Sequence, residues 1–233
     1  MGKRAAAFWV AFLLAACATP ARDLAPGTAG AWGYVSLDPH EGVDAHAGGG
    51  SYGDRRLAHS ELVDYSRPGF AVVYTDGEPR PGDAIALTIR QSNVGTRVDP
   101  ARGVVSSGGV MTLRNQSDRA HMVSCPEAGF LARLDPGASA EIPAARAGVH
   151  SVYLLDVDGA ASTIFAAPGP HVVVSDSGHY ELADLAPGRR RLRTWHPRFP
   201  PTSHWVDLEI GRMHRVDIEL GVEHREGESH AAE

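Results

Sequence analysis

Between positions 30 and 221 the chain is organised by short apolar runs and by alternation of apolar with polar side chains, and Gly or Pro repeatedly breaks the pattern. This predicts strands joined by turns, because successive side chains of a strand point to opposite faces. Strands are expected over 31–37, 70–75, 84–90, 110–114, 151–157, 163–166, 171–174, 180–182, 190–195, 205–210 and 215–220. The last run shows the logic: Val216, Ile218 and Leu220 alternate with Arg215, Asp217 and Glu219, giving one buried and one wet face. A one-residue slip would turn that set of side chains over. One helix-like stretch spans 54–63, with Leu57, Leu62 and Val63 on one side behind an Asp54 cap.

The two ends break the pattern. Lys3 and Arg4 precede an apolar run over 5–16, shorter than the roughly 20 residues a bilayer span needs, so residues 1–16 read as a secretion signal. Its end, Leu14-Ala15-Ala16-Cys17, matches the lipobox at which bacterial lipoproteins are cut and acylated. Cys17 is therefore expected to carry a lipid that holds the mature chain at the membrane. Ala18 follows where Asp would favour retention at the inner membrane, which points to the outer membrane, facing the periplasm. Residues 17–29 read as a flexible tether and 222–233 as a disordered tail, since neither shows periodicity.

Loss of Lys3 and Arg4 with the signal moves the formal charge from −6 to −8, so nucleic acid is not expected as a partner. With Cys17 committed to lipid, Cys125 has no intramolecular partner, and no internal disulfide framework is expected. A lone thiol in an oxidising compartment is either buried, a metal ligand or a liability. The glycine-rich segment from Asp38 to Asp54 carries His40 and His46 but no ligand pair at a short fixed spacing, so it reads as a solvated loop. The basic cluster is Arg189, Arg190, Arg191 and Arg193. On a strand Arg189, Arg191 and Arg193 share one face, either solvated or meeting anionic headgroups or an acidic partner. No nucleophile elbow, phosphate-cradling loop, His-Glu-x-x-His helix or dinucleotide fingerprint occurs, and no enzyme is expected.

Three stretches carry a family resemblance: Asn115-Gln116-Ser117-Asp118-Arg119-Ala120-His121, Leu134-Asp135-Pro136-Gly137, and Gly148-Val149-His150-Ser151-Val152-Tyr153. Together they resemble a cupredoxin-like Greek-key β-sandwich of the plastocyanin type, as in proteins of methylamine utilisation. The resemblance implies a copper loop with Cys, His and Met at three-residue steps. Ungapped, those positions hold Leu154, Val157 and Ala160, so only His121 of four ligands is present. No cofactor is therefore expected. The alternative is copper at a non-standard site drawn from His121, Cys125 and His150.

Further on, Ser175-Asp176-Ser177-Gly178, Leu185-Ala186-Pro187-Gly188 and Trp195-His196 are similar to a carboxypeptidase regulatory-like β-sandwich of prealbumin or immunoglobulin type. The resemblances divide the chain into 30–77 (strands and loop of the regulatory-like sandwich), 84–168 (cupredoxin-like) and 169–221 (the rest of the regulatory-like sandwich). The fold class expected is all-β. The functional expectation is a lipid-anchored cell-envelope binding or scaffold protein with an envelope protein or glycan partner, or else a periplasmic copper carrier or redox accessory.

Overall fold

The computed structural model describes residues 24–38, 67–93 and 95–221. The expected lipid site Cys17, the loop with His40 and His46, and the helix over 54–63 lie outside the described residues. Within them the protein is all-β, and the one helical element is a three-residue 3-10 turn, Pro126–Ala128. No helix among the described residues is long and apolar enough to cross a membrane.

The strand β1 (Ala29–Leu37) is the centre of a first sandwich. It pairs antiparallel with β13 (His179–Leu185) and parallel with β16 (Met213–Arg215) and β17 (Ile218–Leu220). The facing sheet runs β12 (His171–Val173), β2 (Val72–Thr75), β14 (Gly188–Trp195), β15 (Thr202–Leu208). Val35, Tyr180, Leu182, Leu192, Ile218 and Leu220 fill the space between. Strands from both sides of the intervening chain thus share both sheets.

The intervening chain builds a second sandwich. One sheet runs β4 (Gly95–Asp99), β3 (Ala84–Ser92), β6 (Gly109–Asn115), β9 (Ser139–Ala144). The other runs β5 (Arg102–Ser106), β11 (Ala161–Ala167), β10 (Gly148–Leu154), β7 (His121–Cys125), β8 (Phe130–Leu134). Its core is aliphatic, with Leu87, Ile89, Met111, Leu113, Ile142 and Ile164 almost fully buried.

The two sandwiches meet through a separate apolar cluster. Phe165 and Ala167 on β11 pack against Val72 and Tyr74 on β2, with Trp195 at the end of β14. The Phe165 and Trp195 rings stack at 4.8 Å between centroids, 6° from parallel. Because β11 leads directly into β12, covalent continuity and aromatic packing act at the same boundary.

The expected strand over 215–220 is interrupted, although its faces are as the alternation predicts: Val216, Ile218 and Leu220 are buried. At the break, side chains replace ladder bonds. Asp217 Oδ1 accepts from the Tyr34 N–H at 3.0 Å, and the buried Tyr180 hydroxyl donates to Val216 O at 2.6 Å. Gly33 is required there, because a Cβ on it would lie 2.1 Å from Val216 O. The expected strand over 151–157 sits three residues earlier, as β10, because the chain turns after Leu154. The one over 205–210 ends at Leu208, with Ile210 in the turn before Gly211.

Candidate functional site

The one ligand-type residue that the resemblance retains, His121, lies at the start of β7, and the local sequence explains its placement. Asn115 ends β6 and forms a side-chain-stabilised turn: its Oδ1 accepts from Ser117 N–H at 3.0 Å and Ser117 Oγ at 2.7 Å. Its amide Nδ2 donates to Arg119 O at 2.8 Å and Leu134 O at 2.9 Å. That turn delivers the chain into β7 with His121 facing inward, 1% exposed.

Both ring nitrogens of His121 are engaged. Nε2 lies 2.9 Å from Ser117 Oγ, and Nδ1 lies 2.8 Å from Asp156 Oδ2. The other carboxylate oxygen of Asp156 accepts from Met122 N–H at 3.1 Å. Burial alone would push the Asp156 carboxyl up, but the His121 and backbone hydrogen bonds outweigh it and hold the group below the usual carboxylate range.

A serine, an imidazole and a carboxylate in this order form the arrangement that activates nucleophiles in hydrolases. Here the hydroxyl is buried and also hydrogen-bonded within its own turn. Ser117 is 7% exposed, and its hydroxyl lies within hydrogen-bond distance of Asn115 Oδ1, Arg119 O at 3.0 Å and His121 Nε2. The group is a buried polar network that fixes the β6–β7 turn against the turn after β10.

That second turn is closed by aliphatic side chains. Leu154 is 3% and Ala160 7% exposed, both within the core, and Val157 packs against them. The Leu154 N–H donates to Ala160 O at 3.0 Å, pinching the turn shut. A type 1 copper needs a thiolate and two imidazoles, usually with a weak axial sulfur. One imidazole with both nitrogens occupied, beside Leu154, Val157 and Ala160, does not fit that ion.

The alternative ligands are not brought together at this end. His121 and Cys125 both face inward, but four residues of strand, about 13 Å, separate them. At the far end Cys125 is fully buried, and its thiol lies 3.7 Å from Glu127 Oε2, which also accepts from Ser151 N–H at 3.1 Å. Burial pushes the Cys125 thiol up, away from the thiolate form that metals take. His150 uses Nε2 on Arg146 O at 2.8 Å, while its buried Nδ1 has no hydrogen-bond partner among the described residues. The described residues hold no cluster of three or more His, Cys, Asp or Glu arranged to take a metal.

The arginine trio is divided. Arg189 lies 5.0 Å and Arg191 6.0 Å above the ring of Trp205, and Arg191 also donates to Ser203 Oγ at 2.8 Å. Arg193 is paired with Asp76 at 3.4 Å, beside Tyr74. Sequence reasoning did not single out Ser117 and Asp156 as partners of His121, or Trp205 as partner of the arginines. The available signals were the Asn-x-Ser turn and the cross-strand pairing of Arg191 with Trp205, which is visible only once the β14–β15 register is known.

No family model matches the sequence, and no curated protein matches it. Among solved structures the chain is similar to a purple cupredoxin from Nitrosopumilus maritimus, at 15% identity and TM-score 0.32, over 36% of this chain and 99% of that one. It is also similar to native pseudoazurin from Hyphomicrobium denitrificans, at 13% identity and TM-score 0.29, over 36% of this chain and 74% of that one. A further likeness is to amicyanin from Paracoccus versutus, at 12% identity and TM-score 0.30, over 40% of this chain and 96% of that one.

Proposed function

We propose that the protein is a lipid-anchored binding or scaffold component of the bacterial cell envelope, in which a cupredoxin-like domain serves as a rigid β-scaffold without a type 1 copper centre. The observation that carries this reading is His121, buried with one nitrogen on Ser117 and the other on Asp156, while Leu154, Val157 and Ala160 belong to the apolar core. A copper carrier would need free donors close together, and among the described residues both nitrogens of His121 are engaged while the open Nδ1 of His150 stands without a cluster of His, Cys, Asp or Glu that could take a metal.

A binding role needs a surface, and the outer face of the β10–β7–β8 sheet offers one. Tyr153, Val149, Met122 and Leu131 stand there 41%, 39%, 37% and 63% exposed. Ser124 pairs with both Tyr153 and Leu131, so these side chains lie in one cross-strand row. Val149 is opposite Phe165, whose far side the first sandwich covers. An apolar face continuous with an internal interface suits a protein partner.

Two measurements test the reading. Titration of the mature protein with Cu(II) is expected to give no intense thiolate-to-copper absorption, and such a band would overturn it. Cross-linking in intact membranes from Tyr153 is expected to trap a protein product that Leu131→Asp abolishes. An unchanged product in that variant would assign the contact elsewhere.

A further inference from the structure

If Cys17 carries the lipid, as the proposed function holds, the anchor limits how far the first sandwich stands from the bilayer. Six residues lie between Cys17 and Leu24, seven steps of at most about 25 Å of extended chain in all. Just beyond, Ala25 N–H donates to Asp184 Oδ1 at 2.8 Å and Gly211 N–H donates to Thr28 O at 2.7 Å. The chain therefore enters the sandwich at the end where β13 turns into β14 and β15 turns into β16.

The same end, with the stretch of β14 and β15 that leads to it, carries the side chains a membrane surface would select. Ile210, 64% exposed, is in the β15–β16 turn. Arg189 follows the β13–β14 turn directly, and with Arg191 it lies over the face of Trp205, itself 45% exposed. The acidic neighbours are Asp184, which accepts from Ala25 N–H and the Thr28 hydroxyl, Asp207, opposite Arg189 in the ladder, and Glu209, which is ion-paired with Arg212.

The geometry points to a membrane-contact site formed by Ile210, Arg189, Arg191 and Trp205, which takes anionic phospholipid headgroups and seats the anchored protein end-on against the bilayer. Each group has a physical task. An indole sits at the boundary between hydrocarbon and water, and the guanidinium fork matches a phosphate. An apolar tip residue enters the headgroup layer. The tether turns docking into an intramolecular step, so a patch too weak to bind vesicles from solution still docks.

The test uses the native acylated protein in vesicles of phosphatidylethanolamine with phosphatidylglycerol, compared with vesicles of phosphatidylcholine alone. Amide exchange over 205–212, and fluorescence quenching by lipids brominated near the headgroup, report docking. Protection and quenching are expected in the anionic vesicles. The docked-to-undocked ratio should fall about fivefold for each of Arg189→Gln and Arg191→Gln. Ile210→Asp should act in the same direction from an exposed turn, and Trp205→Phe should remove the quenching. Equal signals in both vesicle types, or in wild type and the arginine variants, would overturn the inference. Failure of the anchor itself is read separately, as the absence of acyl mass on the Cys17 peptide.

Discussion

The two sandwiches solve the same packing problem and place their buried polar groups differently. In the inserted sandwich Ser106, Ser162 and His150 make separate contacts, but Asn115, Ser117 and His121 gather at one end of β7, around the inner edge of Asp156. In the first sandwich they are dispersed as single stitches: the Tyr180 hydroxyl on Val216 O, and His196 between Pro68 O and Arg198 N–H. A concentrated network stands or falls as a unit, whereas separate stitches fail one at a time. The difference shows where a buried histidine is built into a shared network.

The boundary between the halves gives the largest expected effect. Phe165→Ala removes a ring that is 5% exposed, and about 3–5 kcal/mol of stability should be lost in urea unfolding followed by circular dichroism. A cycle with Trp195→Ala should show a coupling of about 0.5–1.5 kcal/mol beyond area. Additive effects would mean that the halves are independent bodies joined only by chain.

Next comes the network. His121→Ala leaves the Ser117 hydroxyl and the Asp156 carboxylate without their shared partner, at a cost of about 1–3 kcal/mol. Asp156 is partly exposed and rehydrates, and Ser117 keeps Asn115 Oδ1 and Arg119 O within reach, so the loss sits at the low end of that range. Ser117→Ala combined with His121→Ala should therefore cost less than the sum of the two. A fully additive result would dissolve the contrast between the halves.

The halves should also respond to different pH windows. Asp156 is held below its ordinary value in the fold, so its contribution is complete above about pH 4 and is lost as pH falls through the lower folded value. Asp156→Asn should flatten that acid slope. In the first sandwich, burial pushes His196 and His204 down. The unfolded chain then binds more protons as pH falls below about 6.5, and stability declines there first. His196→Gln with His204→Gln should remove that earlier decline in chemical denaturation between pH 7 and 5 and leave the Asp156 limb intact.

Legibility in the sequence followed how much of an element's information is local. The β3, β6 and β11 runs and the turns at Gly178 and Gly188, both at positive φ, stand out because apolar content or turn chemistry marks them directly. β4, β7, β8 and β9 do not. β4 buries only Val98, β9 carries Pro143 on an edge strand, and β7 and β8 are five residues each. His121 was legible as a residue, since it follows a marked turn. Its partner Asp156 was not, because a separation of 35 residues is bridged only by the pairing of β7 with β10.

The smallest effect isolates one stitch. Tyr180 is 1% exposed and its hydroxyl spans to Val216 O, where β16 gives way to β17. Burial pushes its phenol far up, so the hydroxyl remains a donor throughout the accessible range. Tyr180→Phe keeps the ring in the core and deletes one oxygen, at a cost of about 1 kcal/mol for a carbonyl left unpaired. Because Asp217 still accepts from Tyr34 N–H and Val216 N–H still donates to Trp32 O, the register of β1 with β16 and β17 should hold. Amide exchange would quicken at Val216 and its neighbours while the second sandwich stays unchanged. Spread of that change to β7 would show that the dispersed stitches are wired to the network, and the contrast between the halves would then be one of composition alone.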